Sequence, residues 1–460
     1  MKTNHIIKGA VAALTLLMMT SCGIYNKYQT PTNTAITKAY VEAREATADD
    51  TTSFGNLQWE QVFTDPVLVD YINRALSNNL TLDDALLNVE LAKTQLKGAN
   101  LSFFPSVALA PNGAGASYAG STMSWTYNIP LSVSWEIDIF GKLLNGKRSA
   151  QVGVEGAEDY AQAVRSQIIG AVANTYYSIA SVESQLALAR NTARLWEKSV
   201  STMQDLFDAG RTNKAAVVQF TASYQSVLAS ITDLEVTRNK LYNTMSILLG
   251  TLPQECPVAK DASLSIPEML IPGVPMYYLA NRPDVNAAER GLATAFYATN
   301  SARAAFYPGL TITANGGFTN LLGSMIKNPG DWFVQLAGSL TAPLFARGQN
   351  IARLEAAKIS QQQAMNKFEA TVLSAAAEVS DALTTYEKSG ERAGYLAKQI
   401  EALQESVEIT NDLMVYSNGT YLEVLTAQQS LLQAQMNLLA CQLTRAQSVI
   451  NLYQSMGGGR

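Results

Sequence analysis

W-T-Y-N-I-P-L-S-V-S-W-E-I-D-I, residues 125–139, alternates strictly between apolar and polar positions. Trp125, Tyr127, Ile129, Leu131, Val133, Trp135, Ile137 and Ile139 are apolar; Thr126, Asn128, Pro130, Ser132, Ser134, Glu136 and Asp138 lie between them. A period of two makes a strand with one apolar and one polar face. Ordinary strands run to about five or six residues, and this alternation is far longer. A tilted membrane-spanning strand needs roughly nine to eleven, apolar toward lipid and polar toward a lumen. Trp125 and Tyr127 mark one end of the apolar face and Trp135 lies near the other. At about 3.3 Å per residue and a tilt of about 45°, Trp125 and Trp135 stand about 23 Å apart along the membrane normal. That is close to the roughly 25 Å band between the aromatic girdles of outer-membrane barrels. A long strand of a soluble sandwich is the competing reading.

The totals narrow the class. The chain has 460 residues, a formal net charge of −5 and only 15% charged residues, so no basic footprint points to nucleic acid. Hydrophobic residues make up 47%, yet no internal stretch offers the run of about twenty apolar residues that a spanning helix needs. The single histidine, His5, falls in the leader, which removes His-based triads and His-built zinc sites. Cys22, Cys256 and Cys441 show no metal-ligand spacing. No metal site, no cofactor and no enzymatic activity are expected.

Residues 1–21 read as an export signal, with Lys2 and Lys8 before a short apolar run, Ala10 to Met19. Met19-Thr20-Ser21-Cys22 resembles the bacterial lipoprotein cleavage box. By that resemblance Cys22 becomes the first residue and carries covalent lipid, palmitate included. An ordinary signal with a chance cysteine is the alternative. Residues 22–56 are rich in Thr, Ala and Asn without an apolar period, and are expected to form an extended tether.

Asp65-Pro66 opens a helix, the carboxylate as cap and proline at the first position. A second helix is expected over 81–102, a strand over about 105–118 after Phe103-Phe104-Pro105, and the long alternation over 125–140. Proline-free, Ala- and Gln-rich sequence with three- and four-residue apolar spacing then predicts helices over 146–209 and 213–249, broken by Gly210-Arg211-Thr212. Helices of that length with many polar residues imply coiled coil. Residues 251–282 carry five prolines and read as a linker.

Then the pattern returns: helix 283–304, strand about 308–318, alternation 332–345, helices 349–416 and 420–456. Pro105 to Pro308 spans 203 residues, Phe140 to Phe345 205, Gly210 to Gly419 209, and Gly250 to Gly457 207. A steady offset means two tandem copies, 57–250 and 283–460. In each copy the two shorter helices together match the length of the uninterrupted one, so they are expected to stack end to end beside it in a rod of about 90–100 Å. The fold class is mainly α with membrane β. Four spanning strands cannot close, because the smallest membrane barrels have about eight and an open edge in lipid leaves backbone groups unpaired. Several chains must pool strands; three would make a 12-strand β-barrel on twelve helical rods.

Those features together resemble a known family. Trp59…Phe63-x-Asp65-Pro66, the run Trp135 to Lys142, Tyr416-x-x-Gly419, Tyr421 to Leu431, and Leu452-Tyr453…Gly457-Gly458-Gly459 look like a TolC-like outer membrane factor of the lipoprotein type, over essentially all of 22–460. The resemblance implies a homotrimeric channel-tunnel in the outer membrane with a long periplasmic extension. Its implied partners are a periplasmic adaptor and an inner-membrane pump of RND or ABC type, and its implied role is export of small toxic compounds. A type I protein secretion duct and a non-channel coiled-coil tether are the alternatives.

The family's gate lies at the periplasmic tip, where the inner helix pair turns. Carried over by motif, the constriction falls at Leu422, Glu423 and Thr426, with Tyr416 on the near side of the turn. Three copies of Glu423 would form an acidic ring attractive to cations; a solvated helix face is the alternative. Thr426 and Ala216 stand where some members carry acids, and Gly210 to Ala216 is six residues against four from Gly419 to Glu423. These departures count against an Arg-centred lock known in some relatives. Glu136 and Asp138 are expected to face the lumen or the barrel-to-helix junction.

Overall fold

The computed structural model describes residues 24–46, 57–117, 119–259, 279, 281–320, 331–343, 347–416 and 420–459. The chain divides into two compact units. The first comprises Met1–Thr37, Leu87–Asp159 and Asn286–Thr371, and the second Lys38–Leu86, Tyr160–Val285 and Val372–Arg460. The described helices are α1 (Ala35–Ala46), α2 (Trp59–Val62), α3 (Pro66–Asn78), α4 (Leu80–Leu101), α5 (Lys142–Asp208), α6 (Lys214–Leu248), α7 (Pro283–Ala304), α8 (Gln349–Tyr416) and α9 (Tyr421–Ser455).

The first unit holds the sheet: β1 (Ser106–Leu109), β2 (Asn112–Ala116), β3 (Ser124–Ile137), β4 (Gly309–Thr319) and β5 (Asp331–Thr341). All neighbours are antiparallel, in the order β1 and β2 on β3, then β4, then β5. β1 and β2 are one strand in a single register, with Ser106 opposite Ser134 and Asn112 opposite Asn128. The expected continuous strand over 105–118 is interrupted at Ala110-Pro111. Pro111 has no N–H to give the ladder, and Ala110 donates to the carbonyl of Pro130 at 3.2 Å instead.

Register decides which side chains share a face. Val133 pairs with Val107 and Ala314, Trp135 with Ile312, and Ile129 with Phe318; Ala314 pairs in turn with Leu336, and Phe318 with Trp332. Apart from Pro130 and Phe333, the bulky apolar residues of the strands therefore stand on one side, and those two join Thr126, Asn128, Ser132, Ser134, Thr311, Thr313, Asn315, Gln335 and Ser339 on the other. Trp125, Leu131, Trp332, Val334 and Leu336 are exposed. β3 stops at Ile137 and β5 at Thr341, short of the expected 140 and 345. Beyond Thr341, Pro343 cannot donate to a ladder, and Leu344, Phe345 and Ala346 lie outside the described residues.

Helix α5 starts at Lys142, earlier than the expected Gly146. Gly141 turns the chain with φ +70° and Leu144 donates its N–H to Asp138 Oδ2 at 2.7 Å, an anchor the periodicity could not register. Residues 22–56 are not wholly extended either. Helix α1 buries Thr37, Tyr40 and Ala43 at a spacing of three, but threonine and alanine are too weakly apolar to declare that face. Ahead of it, Asn145 Nδ2 donates to the Ile24 carbonyl at 2.9 Å, Tyr28 N–H to Tyr297 Oη at 3.1 Å, and Thr34 Oγ1 to Glu369 Oε1 at 2.7 Å.

The second unit is helical. α5 and α6 pair through Arg190–Glu235 at 2.7 Å and Arg238–Glu183 at 3.3 Å, with Tyr242 Oη donating to Glu183 at 3.0 Å. The helix ends meet as the lengths predicted. Asn79 Nδ2 donates to the carbonyl of Leu248, joining the start of α4 to the end of α6, and Arg282 Nη1 donates to that of Ser455, joining the start of α7 to the end of α9. Gly250 and Gly457 turn these joints with φ +65° and +86°.

Candidate functional site

The expected site residues fall in two places. At the helix end of the sheet, Glu136 stands on the polar face opposite Thr311 and accepts from Lys142 Nζ at 2.8 Å. Asp138 lies past the strand and is engaged by the first turn of α5, where its charge meets the positive helix end. Tyr25 Oη donates to the Ile139 carbonyl beside it. Its hydroxyl pKa is raised, first by burial and then by the Asp138 carboxylate. Arg148 Nη1 donates to the Tyr25 carbonyl at 3.0 Å.

The second place is the helix turn of the second unit. Arg211 N–H reaches back to the Leu206 carbonyl at 2.8 Å, closing α5 around Gly210, and Asn213 Oδ1 caps α6 by accepting from Ala216 N–H at 3.0 Å. Trp196, Met203, Ala216, Val217, Phe220 and Val227 form an apolar cluster that also takes Val424 and Leu425 from the first turn of α9. Leu422, Glu423 and Thr426 point the other way and are exposed. Burial of Val424 and Leu425 thus fixes α9 so that these three residues share its free side. Ala216 is fully buried. An acid in its place would be desolvated, at a cost in stability. A cavity of about 570 Å³ lies between α5, α6, α8 and α9 beside the cluster, lined by Trp196, Phe220, Met414 and Val424.

The backbone of α8 reaches Tyr416. The Tyr416 side chain, Gly419 and Cys22 lie outside the described residues, as does 260–278 of the linker. Among the described residues, no three His, Cys, Asp or Glu side chains gather where they could hold a metal, and no helix is long and apolar enough to cross a membrane.

Sequence reasoning missed one buried charge cluster. Arg282 is 6% exposed and bonds Asp284 at 2.8 Å and Glu378 at 2.7 Å, in a polar cavity of about 510 Å³ also lined by Asp381 and Gln447. Burial opposes its charge, but the two carboxylates outweigh burial and raise its pKa. Its only signal was position, since Asn79 occupies the matching place in the first copy.

The outer membrane efflux protein family model matches residues 71–251 and 275–458. The chain belongs to this family. It is 27% identical to the probable outer membrane lipoprotein SilC of Salmonella typhimurium, across 97% of each chain. It is 26% identical to the cation efflux system protein CusC of Escherichia coli strain K12, over 96% of this chain and 97% of that one. The open-state MtrE outer membrane channel of Neisseria gonorrhoeae superimposes with a TM-score of 0.79 at 28% identity, covering 90% of this chain and 94% of that one. This outer membrane efflux protein is therefore the outer-membrane channel of a tripartite efflux pump, and belongs to a family of non-enzymes. Its apolar-faced sheet is the membrane part.

Proposed function

We propose that the protein is a lipid-anchored, homotrimeric, passive exit duct for small toxic compounds, energised by an inner-membrane pump and joined to it by a periplasmic adaptor. One observation carries the reading. The sheet has an apolar face, a polar face, and two edges, β1/β2 and β5, without a partner strand among the described residues. In lipid such edges leave backbone groups unpaired at several kcal/mol each, roughly. Three chains pooling their strands remove every edge. The polar face then lines the lumen, and Leu422, Glu423 and Thr426, with Tyr416 before the turn, form the gate. Relatives named for cation, toluene and antibiotic efflux match this chain at 26–27% identity over 96–97% of its length, which supports a tolerant duct whose cargo is chosen by the pump. The lipid belongs on Cys22, in keeping with the relative named as a probable outer membrane lipoprotein.

The test is the mass of the detergent-extracted complex by light scattering, with the detergent contribution subtracted. A trimer supports the pooled barrel; a monomer stable across detergents overturns it. For the anchor, Cys22→Ser is expected to abolish fatty-acid labelling, and persistent labelling would move the lipid elsewhere.

A further inference from the structure

The five strands contain two carboxylates, Glu136 and Asp331, and no Lys, Arg or His. Asp331 pairs in register with Thr319 at the end of the sheet away from the helices. Glu136 stands at the helix end, beside Thr311, and Lys142 holds it at 2.8 Å across the turn that Gly141 makes. The turns joining sheet to helices add Asp138, held by a backbone N–H of α5, and the exposed Arg347. At this end of the sheet Glu136 is the one charged side chain on the strands, and Lys142 is its ion partner.

Stability does not account for the pair. The Glu136 and Lys142 side chains are 41% and 52% exposed, and ion pairs so open to water contribute little to stability. Inside a passage the same pair matters more. An uncompensated carboxylate acts on ions within a Debye length of about 8–10 Å, and walls of low dielectric focus its field.

We infer that Lys142 and Glu136 are specificity-determining residues: their pairing neutralises the helix end of the barrel lumen, so that organic cations, organic anions and neutral solutes pass it alike. This rests on the proposal that the polar face lines the passage. Every other lumen-side residue of β3 and β4 from Thr126 to Thr319 is neutral, mostly hydroxyl or amide. Such groups hydrate solutes of either sign without choosing between them. Unpaired charge is then left to Asp331 at the far end of the sheet and to the tip, where Glu423 is exposed.

The experiment is the potassium-over-chloride permeability ratio from reversal potentials of single channels in a neutral-lipid planar bilayer. It is made on the full chain and again in Glu423→Ala, so that a dominant acidic tip cannot mask the collar. Lys142→Gln is expected to raise the ratio about twofold or more, and Glu136→Gln to lower it, because each strands the other's charge. The charge swap Glu136→Lys with Lys142→Glu is expected to return it to the starting value. A ratio unchanged in both single variants, with conductance retained, overturns the inference while leaving the channel reading intact. A chain that forms no conducting channel at all overturns the channel reading itself.

Discussion

The side-chain amide of Asn79 donates to the backbone carbonyl of Leu248 at 2.9 Å, tying together two helix ends that lie far apart in sequence. The same side chain caps the helix it starts, its Oδ1 accepting from Thr81 N–H at 2.9 Å and Leu82 N–H at 3.2 Å. The second copy solves the same joint with charge. Arg282 reaches the Ser455 carbonyl at 3.2 Å, and Asp284, which Arg282 holds, accepts from the Val285 N–H. A neutral amide in one joint is matched by an ion-paired guanidinium in the other.

Asn79→Ala is expected to cost about 2 kcal/mol, roughly 1 for the lost cap and the rest for a half-buried carbonyl left without a donor. Arg282→Ala is expected to cost about 3 kcal/mol, at the low end for a broken buried ion pair. The reason is that the Asp284 and Glu378 side chains are 39% and 51% exposed and can rehydrate. Chemical unfolding of the detergent-extracted protein checks both, and equal midpoints for wild type and Asn79→Ala would remove the joint as a stabilising element.

Two glycines separate strain from collision. Gly250 and Gly348 have φ of +65° and +76°. A Cβ at Gly250 would run into the Asn78 carbonyl, whereas one at Gly348 meets nothing within 4 Å. Gly348→Ala is therefore expected to cost about 1–2 kcal/mol, the left-handed penalty alone. Gly250→Ala adds a backbone clash and is expected to lower the unfolding midpoint clearly further. Equal losses would mean the joint yields.

Alkali should loosen the second unit. The hydroxyls of Tyr71 and Tyr242 are pushed up to about 12, first by burial and then by neighbours that include Cys256 for Tyr71 and a hydrogen bond to Glu183 for Tyr242. Unfolded tyrosine ionises near 10. The stabilisation these groups give is thus full below pH of about 10 and is lost as pH rises toward about 12. Unfolding midpoints across that window are expected to fall, and less steeply in Tyr242→Phe. A flat profile in the wild type would contradict the shifts.

Glu423→Ala is expected to lower cation selectivity in bilayer recordings, since Val424 and Leu425, 1% and 8% exposed, hold the first turn of α9 with Glu423 on its free side. Unchanged selectivity would take Glu423 out of the gate. Phe220→Ala opens a cavity in the cluster that seats Val424, at about 3–5 kcal/mol. It is expected to raise conductance, and an unaltered conductance in a folded variant would show that this packing does not hold the turn.

The sequence alone determined the strand faces, the long helices and their end-to-end joints. Each of these is written in a local period or in a constant offset, and a period of two or of 3.6 survives without its neighbours. It also marked Leu422, Glu423 and Thr426, through the motif beside the turn. The tertiary structure decided what periodicity does not encode. Pro111 splits the first strand because register sets Ala110 opposite Pro130, which likewise has no N–H. Helix α1 packs through Thr37, Tyr40 and Ala43, whose burial comes from what lies against them and not from their hydrophobicity. Arg282 is legible as a buried cluster only once Asp284, Glu378 and Ser455 converge on it, since Glu378 is 96 residues away in sequence. Hydrophobic period is a property of one segment. A charge pair or a register is a property of two segments, and only the folded chain brings them together.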